Sequence, residues 1–353
     1  MGYRYSTFFY VLLLLSSFLL LNILSSSYAQ QNGNLMPIFA EESTLDISLI
    51  FDIKKLNKDK YKEEYQPASL IYQREKNEPV YDTVPLKVRA RGNSRKRICQ
   101  FPPLRLNFAP KKTPDGLFSG LDKIKLVSYC KDSEQYEQYI LKEYYTYKLY
   151  EHFSDKTFKT RLLRVTYIDS KGKRKPVTRY GFIIEADELV ADRLSSHLYE
   201  TAQMHPDNCD KEATTTLAVF QYMIGNTDWS IAKQHNVKLF VPKKTSNEAK
   251  PFAVPYDFDY SGLVDAHYAI PNEKLPVETI KERYYLGFCC EDATMKLVLS
   301  KFKDKKEAVF GVFNESSLLK EREKKEALRY IATFYEQLDK PELIASLLSK
   351  QCK

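Results

Sequence analysis

The sequence predicts an α+β protein with a strand-rich first half and a mostly helical second half. Three observations predict it. Short apolar or alternating runs succeed one another from Leu45 to Glu185, as strands do. One long stretch among them, Ser133–Phe153, places its apolar residues at helical spacing. From Ala186 onward the periodic segments are helical, apart from two β-like runs between His235 and Gly262.

Residues 1–29 carry a single charge, Arg4, and an apolar run from Phe8 to Leu24 that ends in Ser27-Tyr28-Ala29. Small residues at the two positions a signal peptidase reads give this segment the form of a secretory signal peptide, cut after Ala29. The mature chain is then expected to be secreted or periplasmic, with a membrane attachment only if the segment stays uncleaved. The remaining 353 − 29 = 324 residues have room for two cores, assigned to 30–185 and 186–353. The formal charge of +8, or +7 without Arg4, suits an anionic ligand such as a nucleotide. Basic and acidic residues are interspersed, and the run Lys320–Lys325 reads as a solvated helix face, so no nucleic-acid partner is expected. Cys99, Cys130, Cys209, Cys289, Cys290 and Cys352 form an even set that permits disulfides in an exported chain, with the connectivity open. No C-x-x-C or H-E-x-x-H spacing occurs, so structural zinc is not expected.

In chain order, strands are expected at Leu45–Ile53, Ala68–Gln73, Leu86–Arg91, Leu104–Phe108 and Lys123–Tyr129. The helix Ser133–Phe153 follows, with Ile140, Tyr144 and Tyr147 on one face. Glu143 lies on that same face, and a carboxylate directed at a core needs a cation. Strands Arg161–Ile168 and Tyr180–Glu185 flank a charged turn. Helices are then expected at Ala186–Glu200, Lys211–Ile224, Thr294–Phe302, Asn314–Gln337 and Pro341–Cys352, and residues 268–285 read as a mixed, Pro-bearing loop.

The chemistry concentrates between Gly225 and Gly262. Asp228 and Asn236 are eight residues apart ahead of one β-like run, and Asp257 and Asp259 follow the next. Phosphoryl transfer of the protein-kinase type uses such a set: one Asp takes the acceptor's proton, while an Asn and a second Asp hold magnesium against the phosphates. Turn geometry accounts for Gly225, Asn226 and Gly262, but not for two acids after the apolar run Phe252–Pro255.

This stretch resembles the catalytic segment of the CotH-like (spore-coat protein H) atypical kinases and, more distantly, HipA-like kinases. The run Arg91-Gly92-Asn93-Ser94 is similar to the R-G-N-S element near the start of the CotH-like domain, and Tyr180–Glu185 to the strand that leads into its lobe connection. The resemblance implies a bilobal protein-kinase-like fold, with a β-rich N-lobe and a mostly helical C-lobe. It implies an enzyme that moves the γ-phosphoryl group of ATP to a hydroxyl on a protein Ser/Thr or a glycan, using Mg²⁺ or Mn²⁺. Asp228 would be the base. Asn236, Asp257 and Asp259 would hold the metal, with Asp257 preferred over Asp259. Arg91, Gly92, Asn93 and Ser94 would cradle phosphate, and Glu185 would meet ribose or adenine. The usual lysine after R-G-N-S is missing from Phe101–Phe108, so Lys125, oriented by Glu143, is the candidate for the phosphate-binding cation, with Arg105 the second choice. His235 reads as local packing. Two other classes stay open: a nucleotide-binding pseudokinase, and a secreted glycan- or protein-binding module.

Overall fold

The computed structural model describes residues 35–74, 79–109, 116–201, 203–243, 249–340 and 342–343. The expected signal peptide, and nearly all of the expected helix Pro341–Cys352, lie outside the described residues.

Seven strands of the first half close into a barrel: β1 (Leu45–Phe51), β2 (Gln66–Gln73), β3 (Tyr81–Ala90), β4 (Leu104–Phe108), β5 (Lys123–Val127), β6 (Thr160–Asp169) and β7 (Val177–Ile184). Their order around the barrel is β1-β2-β3-β4-β5-β7-β6. All neighbours run antiparallel except β1 and β6, which pair parallel from Leu45–Leu163 to Phe51–Asp169. Alternation makes this possible. In β4, Leu104, Leu106 and Phe108 are buried while Arg105 and Asn107 are not, and β3 buries Val84, Leu86 and Val88 with the exposed Pro85 and Lys87 between them.

Four helices interrupt the barrel strands or precede them: α1 (Pro37–Ala40), α2 (Ile53–Lys58), α3 (Ser94–Ile98) and the long α4 (Glu134–Glu151). After β7 come α5 (Asp187–Arg193), β8 (Ser196–Leu198), α6 (Lys211–Met223), β9 (Val237–Pro242), β10 (Phe252–Pro255), α7 (Asp292–Asp304), α8 (Lys306–Asn314) and α9 (Glu321–Leu338). Strands β8, β9 and β10 form a small antiparallel sheet.

The bilobal protein-kinase-like fold class is overturned. The first half is a closed mixed barrel, sealed by the β1–β6 pairing, and the second half carries a three-stranded sheet among its helices. A single apolar cluster runs from Ile38 to Leu338, through the junction near residue 186. The reason is the long-range pairing of the first and sixth strands, which local alternation does not encode. Two helix expectations also change. Ala186–Glu200 divides into α5 and β8, because Ser195 adopts φ 47° and Ser196–Leu198 pairs with β9. Asn314–Gln337 becomes the end of α8, a break, and α9.

Candidate functional site

Three elements bring charged groups together beside the barrel. Gly92, at φ 86°, turns the chain from β3 into α3; a Cβ there would meet nothing within 4 Å, so the backbone angle rather than crowding calls for glycine. Helix α3 directs Arg95 inward, and Cys99 just beyond it is disulfide-bonded to Cys130, ahead of α4. Helix α4 supplies Glu143, and the chain after β10 supplies Asp257 and Asp259. Asp257 sits at φ 63° with its N–H donating to the Tyr147 hydroxyl at 2.9 Å.

Arg95 lies among these acids. Its Nε donates to Asp259 Oδ2 at 2.7 Å, and its Nη2 donates to Glu143 Oε2 at 2.5 Å and stands 3.8 Å from Asp257 Oδ1. The Tyr268 hydroxyl donates to Asp259 Oδ2 at 3.1 Å. Glu143 is 1 % exposed, and its Oε1 is buried with no hydrogen-bond partner. Glu143, Asp257 and Asp259 each offer an oxygen within 4.8 Å of the others. An all-oxygen donor set with one unsatisfied buried carboxylate oxygen fits a hard divalent ion such as Mg²⁺ or Mn²⁺.

The electrostatics are strained by excess negative charge: three carboxylates face one guanidinium. Burial, reinforced by Asp259 and Asp257 and opposed by Arg95, pushes the Glu143 carboxyl up to about 8. Asp257 is raised too, first by the protein around it and then by Asp259, although its 41 % exposure lets solvent screen the effect. Burial works against the Arg95 charge, but Asp259 and Glu143 outweigh it and hold Arg95 well above the ordinary range.

Asp228 lies beyond this cluster, near enough for its charge to help raise Asp257. Gly225 makes the turn out of α6: its φ is 64°, and a Cβ would fall 1.9 Å from the Tyr330 hydroxyl. Asn226 is held by Gln221 and accepts the Asp228 N–H at 2.9 Å. Asp228 Oδ1 is 2.7 Å from His235 Nε2, and Oδ2 accepts from Asn236 Nδ2 at 3.0 Å. Asn236 also donates to the Asp228 carbonyl at 2.7 Å. The amide expected to hold metal is therefore turned toward Asp228, and Glu143 takes its place beside Asp257 and Asp259. His235, read from sequence as packing, is 54 % exposed and bonded to the proposed base.

The expected Lys125–Glu143 pair is not formed. Lys125 reaches Asp187 Oδ1 at 3.1 Å, while Lys238 holds Asp187 Oδ2 at 3.3 Å; Glu143 has Arg95 instead. Lys125 points away from the barrel interior, on the same sheet face as its cross-strand partner Ile184. Burial pulls Lys125 down despite Asp187, and neighbouring Arg91 and Lys238 act in the same direction. Arg91 stands near Asp257 and makes no ion pair or side-chain hydrogen bond among the described residues. Ser94 stands beside the Tyr260 hydroxyl, and Asn93 is exposed with no side-chain cap. Glu185, expected to meet ribose or adenine, is engaged inside the protein. It is 1 % exposed, grips Arg193 at 3.0 and 2.8 Å, and accepts the Lys159 N–H.

Sequence reasoning missed Arg95, Asp187 and Tyr268. The cation that Glu143 demands was the available signal, but Arg95 and Arg97 look alike in a basic run until α3 selects which one faces inward. A cavity of about 770 Å³, lined by residues such as Glu42, Tyr145, Lys148 and Glu315, lies elsewhere and includes none of these groups. No protein-family model matches the chain, and no curated protein matches it.

Proposed function

We propose that the protein is a divalent-ion-dependent phosphotransferase that moves the γ-phosphoryl group of ATP to a hydroxyl, on a protein Ser/Thr or a glycan. The observation that carries this reading is the trio Glu143, Asp257 and Asp259, two of them buried and Asp257 half-buried, with the unpartnered Glu143 Oε1 among them and the half-buried carboxylate of Asp228 nearby. The trio would hold Mg²⁺ or Mn²⁺, which supplies neutralisation of phosphate charge. Arg91, near Asp257 and without an ion-pair partner among the described residues, and Lys125 would hold phosphate oxygens. Asp228 takes the proton of the attacking hydroxyl as its oxygen bonds to the γ-phosphorus and the bond to the β-phosphate oxygen breaks, leaving ADP. Asn236 and His235 fix the Asp228 carboxylate in orientation.

A second reading has its own support. Arg95 already supplies one internal cation to the trio, which suits a module that binds nucleotide without transferring phosphate. Radiolabelled ATP separates the two. Purified residues 30–353 are incubated with candidate acceptors, with and without Mg²⁺ or Mn²⁺, beside Asp228→Ala and Asp257→Ala. Phosphotransfer predicts ion-dependent label, reduced ~10²-fold or more in Asp228→Ala. Equal label in all three proteins refutes the site; nucleotide binding without label selects the binding module.

A further inference from the structure

We propose that the outer face of β3, β4 and β5 is a binding track for a linear polyphosphate chain. Arg89 on β3 lies directly opposite Arg105 on β4, and Arg105 lies directly opposite Lys125 on β5. All three point away from the barrel interior, since their neighbours Val88, Leu104, Leu106, Ile124 and Leu126 are buried. Like charges directly opposite one another destabilise a sheet. Opposing acids relieve only the ends of this row. Arg89 meets Glu63, which is 62 % exposed, at 3.3 Å, and Lys125 meets Asp187. Arg105, in the centre, makes no ion pair or side-chain hydrogen bond among the described residues. Arg91, next outward position on the same chain after Arg89, also makes no ion pair among the described residues, and its charge reaches both Lys125 and Asp257.

The spacing identifies the chemistry of the occupant. Neighbouring strands lie about 4.8 Å apart, so the three cations span roughly 10 Å across the sheet. An extended acidic peptide presents same-face carboxylates about 6.8 Å apart, too widely spaced to meet each cation. A polyphosphate carries charge on every phosphorus and offers paired oxygens that a guanidinium fork takes bidentately. The chain could be the tail of a nucleoside triphosphate or a free polyphosphate. That it ends at the carboxylate trio rests on the phosphotransferase reading; that the row binds it does not.

The test is calorimetric titration of residues 30–353 with tripolyphosphate, pyrophosphate, orthophosphate, ATP, adenosine and an oligoglutamate peptide, at fixed Mg²⁺. Affinity is expected to rise from orthophosphate to tripolyphosphate. Arg105→Gln and Arg89→Gln are each expected to weaken tripolyphosphate about tenfold or more, while Arg105→Lys retains part of the affinity. ATP binding far tighter than tripolyphosphate identifies a nucleotide tail; equal affinities identify a free chain. The proposal is overturned if both Gln variants bind tripolyphosphate like the wild type, or if oligoglutamate binds as well. Tripolyphosphate binding that depends on Arg105, in a protein that transfers no label from ATP, leaves the track standing and removes only the phosphotransferase reading.

Discussion

Arg95 is the side chain on which the site turns. It is almost wholly buried and contacts two buried acids, so removing it leaves the Asp259 carboxylate without its ion-pair partner and Glu143 Oε2 without its donor. Breaking a buried pair by deleting one partner costs about 3–5 kcal/mol. Arg95→Met should therefore lower the unfolding free energy measured in urea by that amount, whereas the exposed neighbour Arg97→Met should leave it nearly unchanged. Glu143 makes a second prediction, for the metal-free chain in a chelator. Its folded carboxyl is pushed up to about 8, against about 4.3 in an unfolded chain. The folded state then holds a proton that the unfolded state gives up. The stability that comes with that proton is complete below the unfolded value and is lost as pH rises toward 8; Asp257, shifted the same way, adds to the slope. Melting temperatures from pH 5 to 8.5 should fall in the wild type and fall less in Glu143→Gln. A wild-type slope no steeper than the variant's would mean that Glu143 stays ionised throughout. The sequence carried part of this: the helical spacing put Glu143 on an apolar face and demanded a cation. It could not choose Arg95 over Lys125, because that choice depends on the turn at Gly92 and on Asp187, which takes Lys125.

At the scale of elements, the disulfide between Cys99 and Cys130 ties the end of α3 to the approach to α4, the two helices that bring Arg95 and Glu143 together. It closes a loop of sequence separation 31, for which chain entropy alone gives roughly 3–4 kcal/mol of stabilisation. The double variant Cys99→Ser/Cys130→Ser should lose stability on that scale, and it should also bind divalent ions more weakly as α3 loosens. A variant that loses stability but keeps full ion affinity would show that α3 is positioned by packing alone. This bridge was closed to sequence reasoning, since six cysteines allow 15 pairings. Strands were more legible. Alternation in Leu104–Phe108 and the spacing in Lys211–Ile224 are local, and both appear where expected. The run after Ala186 was misread because the pull on Ser196–Leu198 comes from β9, more than forty residues along, and tertiary pairing overrides propensity there.

For the whole molecule, closure was the hidden feature. Each barrel strand announces itself, but the parallel pairing of β1 with β6 joins residues more than a hundred apart, and nothing in either strand names its partner. The same closure gives the acid trio a rigid setting. Glu143 comes from a helix packed on the barrel, Arg95 from the β3–β4 connection, and Asp257 and Asp259 from the chain after the small sheet. Those sources lie far apart in sequence, so the unfolded chain does not hold the trio together, and an ion bound there favours the folded state by mass action. At 100 times its dissociation constant, an ion adds about 2.7 kcal/mol, or roughly 4 °C in melting temperature for a chain of this size. Mg²⁺ or Mn²⁺ should produce that shift in the wild type, and Asp257→Asn should abolish it. The effect should be larger at pH 8 than at pH 6, because protons compete for Glu143 and Asp257 and binding must release them. If saturating Mg²⁺ and Mn²⁺ leave the melting temperature unmoved at pH 8, the trio holds no ion and relies on Arg95, with Arg91 nearby, for its positive charge.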